Sequence, residues 1–188
     1  MYRLRTKGGK RDPAKNWALP ERVFFACGAC HILAYAFIST YSNQGFVPIW
    51  IRPKSGYTGN HIVAVRGRLA FDYHGYSDWS MLLSHMKRRA NQWWPGWSAD
   101  LVPLPGAVLI SESKSRMYEG LWLREPTQFR FDALPRAKAF LKRFPVPPEN
   151  DEGSSEVLHL DEKPPYEQLQ PTRDDVFIPC HKPESRGA

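Results

Sequence analysis

The run Cys27-Gly28-Ala29-Cys30-His31 constrains this chain more than any other, because it passes directly into an apolar helical pattern. Leu33, Ala34, Phe37 and Ile38 recur at the spacing of one helix face, so a buried helix is expected from Cys30 to about Tyr41. A cysteine therefore stands where a core helix begins. Three chemistries use such a residue. Cys-x-x-Cys-His is the attachment pattern of c-type haem, with Met81 or Met117 as the other axial ligand. Cys-x-x-Cys at a helix mouth is a dithiol redox motif. A single cysteine at a helix N-terminus, with a histidine and a carboxylate supplied from elsewhere, is an activated nucleophile.

The segments beyond the helix separate these options. Asn43-Gln44-Gly45 ends it, and Phe46–Ile51 reads as a strand with Pro48 near its start. After a polar turn, His61–Val65 is a strand by its β-branched content. Arg66-Gly67-Arg68 turns the chain, Leu69–Tyr73 returns as the second arm of a hairpin, and His74-Gly75 closes it. Trp79, Leu82, Leu83 and Met86 outline an amphipathic helix with Asp78 as its N-cap. Asp100–Leu104 is a further strand, and Ala133–Phe144 a late helix. A small cytochrome is mostly helical, which weighs against haem. A thioredoxin-like protein precedes its motif with a full βαβ start, for which the residues before Cys27 are too few and too polar.

The nucleophile option uses more of the chain. A helix N-terminus favours the thiolate through the dipole and free backbone N–H groups. His61 opens a strand after a glycine-containing loop, placed to act as general base. Asp72 lies in the adjacent arm of the hairpin, where pairing of His61 with residue 72 or 73 sets the carboxylate beside the imidazole. His74 follows Asp72 by period two and reads as a polar strand end, or else as a second histidine near the cleft.

This ordered set resembles the papain-like cysteine proteases, and more closely the transglutaminase-like branch of that superfamily. Cys27-Gly28-Ala29-Cys30-His31-Ile32-Leu33-Ala34 resembles the nucleophile segment. Gly45-Phe46-Val47-Pro48 resembles the strand entry, Gly59-Asn60-His61 the histidine strand and Leu69-Ala70-Phe71-Asp72 the aspartate strand. Bacterial papain-like toxin domains that deamidate glutamine show a similar progression. The resemblance covers about residues 16–80. It implies an α+β fold with the nucleophile helix packed on a small antiparallel sheet. It also implies Cys30 as nucleophile, His61 as base and Asp72 as orienter, acting on a protein or peptide amide without a cofactor. The family's oxyanion glutamine has no counterpart before Cys30. The Cys30 N–H is one candidate donor, and Asn16 or Trp17 a second. His31 stands where the family carries tryptophan.

Composition bounds the setting. The 188 residues suit one domain, expected at 16–145, with a basic arm at 1–15 and a Pro/acid-rich tail at 146–188. The net charge is +7, and the arm offers a contact for nucleic acid or an acidic surface, although a solubilising role is the plainer expectation. Three cysteines are too few for a disulfide scaffold, which suggests a reducing, cytoplasmic interior. No secretory signal is evident, and no apolar run is read as approaching the roughly 20 residues of a membrane span. Zinc lacks a second Cys-x-x-Cys, and Cys180 and His181 stand far from the first. Gln92–Trp97 reads as packing over a sheet edge, or else as an aromatic groove. Two other classes remain in view: a non-catalytic binding module on the same fold, and the dithiol oxidoreductase.

Overall fold

The computed structural model describes residues 12–149. Most of the expected arm and tail, and Cys180 with His181, lie outside the described residues. The first helix, α1 (Pro13–Trp17), begins within the stretch read as an arm. Asp12 caps it, accepting from the Ala14 and Lys15 N–H groups, and Pro13 occupies the first turn where its missing N–H costs nothing.

After Pro20 the chain forms α2 (Glu21–Phe24), a π-helical turn (Phe25–Ala29) and α3 (Cys30–Thr40). Taken together, Glu21–Thr40 spans 20 residues and contains an 18-residue window of mean hydropathy 1.7. It is one candidate membrane span by length and composition only, consistent with the expectation of no membrane span, and Arg22 and His31 interrupt it. Within the fold it is a core element, 61% buried, and broken midway by non-helical Cys27 and Gly28.

Five strands form one antiparallel sheet: β1 (Val47–Pro53), β2 (His61–Arg66), β3 (Leu69–Asp72), β4 (Gly75–Asp78) and β5 (Ala99–Pro103). Their order is β4-β3-β2-β1-β5. Three helices complete the described chain: α4 (Trp79–Asn91), α5 (Glu112–Ser115) and α6 (Ala133–Leu141). Asp78 caps α4 as expected, accepting from the Ser80 and Met81 N–H groups. The fold is thus α+β with a small antiparallel sheet.

Side-chain alternation along the strands sends apolar groups to both faces. Ala64 and Phe71 join Ile32, Leu33 and Phe37 of α3, and Phe37 stacks on Phe71 at 4.1 Å. Behind α3, Ala137, Phe140 and Leu141 of α6 complete this core. On the opposite face Val63, Val65 and Ala70 pack with Met86 and Ala90 of α4 and with Trp97. Trp97 is 4% exposed and donates its indole N–H to the Thr58 carbonyl, so this tryptophan is packing; its neighbour Trp93 is exposed.

The β2–β3 register refines the expected hairpin. Arg66 pairs with Leu69, Val65 with Ala70 and Ala64 with Phe71. Gly67 turns the chain at φ 53°, in the left-handed region that a tight hairpin needs. Continued by one step, this register sets Asp72 opposite Val63, one diagonal from His61 on the same face. The carboxylate therefore meets the imidazole diagonally, where the expectation had them directly paired. Tyr73-His74 does not end the sheet. It turns the chain into β4, a strand absent from the sequence reading.

Candidate active site

Cys30 is placed by a backbone discontinuity. Gly28 adopts φ 126°, open to glycine and strained for any other residue, and the helical path breaks there before restarting at Cys30. The kink separates the two cysteines by environment: Cys27 is 2% exposed, whereas Cys30 is only partly buried. Packing of Cys30 beside Ala34, Trp50, Ile62 and Leu123 sets the thiol at the end of the sheet where β2 begins and β3 ends.

His61 and Asp72 converge on that end. His61 Nε2 lies 3.0 Å from Asp72 Oδ2, with both side chains almost fully buried. The other carboxylate oxygen, Oδ1, accepts the His74 backbone N–H at 2.8 Å and stands 3.4 Å from His74 Nδ1. Asp72 is thus held from two sides, and His74 stands beside the cleft, the alternative to a plain strand end. The Cys30 thiol lies within interacting range of both His61 and His31. With Nε2 engaged by Asp72, Nδ1 is the His61 nitrogen left for Cys30.

The charges follow from this geometry. Burial pushes the Cys30 thiol up, but its interactions with His31 and His61 outweigh that and bring it down to about 5. Burial likewise works against a charged His61. The hydrogen bonds to Asp72 and Cys30 and their negative charges prevail, raising it to about 10. Asp72, also opposed by burial, is held below the usual carboxylate range by His61 and His74. Near neutral pH the favoured state is a thiolate beside an imidazolium beside a carboxylate.

His31, expected only to shape the cleft, is 2% exposed, and its Nε2 lies 2.9 Å from the Arg124 carbonyl oxygen. That carbonyl can only accept, so Nε2 carries the proton. The nitrogen a haem iron would need is therefore occupied. Met81 and Met117, its proposed partners, are exposed side chains. Trp17, one candidate oxyanion donor, has its ring edge-on to Phe24 and Phe131 beneath the Arg136 guanidinium. Asn16, the other, is buried on α1. Among the described residues no group of three or more His, Cys, Asp or Glu is placed to hold a metal. A cavity of about 330 Å³ opens beside His61, lined by His61, Asp72, Tyr73 and His74 from the sheet side and by Met81 and Met86 from α4.

A partly exposed thiolate held against a protonated imidazole can attack an electrophilic carbon and return a proton to the leaving group. No family model matches this chain, and no curated protein or solved structure matches it, so the site rests on its own geometry.

Proposed function

We propose that this chain is a cysteine-dependent amide hydrolase or acyltransferase of papain/transglutaminase-like architecture. The observation that carries the proposal is the convergence of Cys30, His61 and Asp72, from one helix and two strands, with His61 hydrogen-bonded to Asp72 and within interacting range of Cys30. The Cys30 thiolate adds to the amide carbonyl. Charge gathers on the carbonyl oxygen near the N-terminus of α3, where backbone dipoles favour it. His61 gives its Nδ1 proton to the departing nitrogen, and ammonia or an amine leaves as the thioester forms. His61, now neutral, takes a proton from water or an acceptor amine, which attacks the thioester and frees Cys30. Asp72 keeps the imidazole oriented and favours its charged form throughout. Protein or peptide amides, glutamine side chains included, are the substrate class.

The test uses the full chain with glutamine-containing peptides, following both peptide cleavage and ammonia release. Cys30→Ala is expected to abolish turnover and Cys27→Ala to retain most of it, since Cys27 is buried behind the kink. Equal dependence on both cysteines, together with reduction of insulin disulfides, would establish the dithiol reading instead. If a thiol-directed activity probe leaves Cys30 unlabelled and His61→Ala changes nothing measurable, the fold serves as a binding module.

A further inference from the structure

Among the described residues Arg124 has no carboxylate partner, and its guanidinium reaches the loop that precedes Cys30. Its carbonyl accepts from His31, the residue that follows Cys30 on α3. Its guanidinium lies over the Phe129 ring at 4.2 Å, with Nη2 directed to Gly28: a Cβ built on that glycine would come within 3.6 Å. Any longer side chain at position 28 would cover the guanidinium, so Gly28 keeps it uncovered as well as permitting the kink. The backbone on either side is pinned, with the Leu123 N–H on Ser115 Oγ and the Glu125 N–H on Gln128 Oε1.

Elsewhere the pattern differs. Half-buried Arg136 is paired with Glu21 and Arg52 with Asp100, whereas among the described residues no carboxylate pairs with Arg124. A half-buried guanidinium that has given up water without gaining an anion is costly by itself. Stacking on Phe129 occupies its face and leaves the in-plane N–H groups, the ones that bind a carboxylate in a fork, with Nη2 turned to the loop at Gly28.

We propose that Arg124 is a substrate-reading residue that binds a carboxylate a few bonds from the scissile amide, so that the enzyme selects anionic acyl donors. This rests on the amidase reading of Cys30, yet its test does not need turnover. Iodoacetate and iodoacetamide alkylate the same thiolate and differ in carrying a carboxylate or a neutral amide. The rate ratio at Cys30, followed by mass spectrometry on the full chain, reports an anion site while cancelling changes in thiolate fraction.

Arg124→Gln is expected to lower the iodoacetate-to-iodoacetamide ratio roughly tenfold, in line with a charge-assisted hydrogen-bonded contact. Arg124→Lys should recover part of it, and Arg116→Gln should leave it at the wild-type value. Should Arg124→Gln fail to fold, the unaltered protein supplies the answer. N-acetylglutamine should then protect Cys30 from iodoacetamide at concentrations about tenfold lower than neutral N-acetylglutaminamide. A ratio unmoved by Arg124→Gln, or equal protection by the two amides, overturns the proposal and leaves the amidase reading intact. An Arg124-dependent ratio in a protein that cleaves no amide overturns the amidase reading and keeps the anion site.

Discussion

At Cys30 the thiol is shared by His31 from its own helix and His61 from β2, and the two histidines are not interchangeable. His31 is tied at Nε2 to a backbone carbonyl, which cannot exchange a proton, whereas His61 is tied to a carboxylate that favours the imidazolium. His61 alone is therefore poised to cycle a proton, and this sets the pH dependence. As pH falls through about 5 Cys30 takes up a proton and the nucleophile is lost; as pH rises through about 10 His61 loses the proton the leaving amine needs. kcat/KM should be bell-shaped between these limits, which belong to the pair jointly. Asp72→Asn removes the charge that raises His61. The basic limb should then move down, and the acidic limb up as Cys30 loses its imidazolium, with maximal turnover reduced about tenfold or more. Iodoacetamide alkylation against pH reads the acidic limb and peptide turnover the basic one. A variant with both limbs in place would remove Asp72 from the mechanism.

At the scale of elements, the π turn between α2 and α3 decides where the nucleophile helix begins. Gly28→Ala forces a side chain into φ 126° with the Arg124 Nη2 at 3.6 Å, and it should cost about 1–3 kcal/mol of stability. Urea unfolding measures this, with slower alkylation of Cys30 as the local readout; a change under about 0.5 kcal/mol would mean that the turn adopts another path. Helix α3 was legible because its apolar spacing runs unbroken from Leu33 to Ile38, and β2 because His61–Val65 is rich in β-branched residues. Strand β4 was not. Gly75-Tyr76-Ser77-Asp78 contains no β-branched residue, and its strand form comes from pairing with β3, Tyr76 against Phe71. The ordering of Cys30, His61 and Asp72 pointed to the site. The parts of Arg124 and His31 did not show, since they meet across 93 positions and nothing local to either announces the other.

Across the whole molecule, the nucleophile helix is held between the sheet and α6, and Arg136 of α6 fastens the N-terminal lead-in to that assembly. Its guanidinium donates to Glu21 Oε2 at 2.9 Å and to the Trp17 and Leu19 carbonyls at 2.7 Å each, while stacking over Phe24 at 4.1 Å. One side chain thereby satisfies acceptors on both sides of Pro20, where no helical hydrogen bonds join α1 to α2. Truncation leaves a part-buried carboxylate and two carbonyls without their donor, and exposes the faces of Trp17 and Phe24. Arg136→Ala should therefore cost about 3–5 kcal/mol, a large share of the roughly 5–15 kcal/mol that stabilises a domain of this size. Arg136→Lys should recover only part, because a single ammonium cannot span three acceptors in the plane of a guanidinium. The urea midpoint of the full chain measures both. The alkylation rate of Cys30 in native buffer should stay near wild type in Arg136→Lys, since the thiol and its two histidines keep their contacts. An unfolding free energy for Arg136→Ala within about 0.5 kcal/mol of wild type would show that the lead-in is anchored by apolar packing alone.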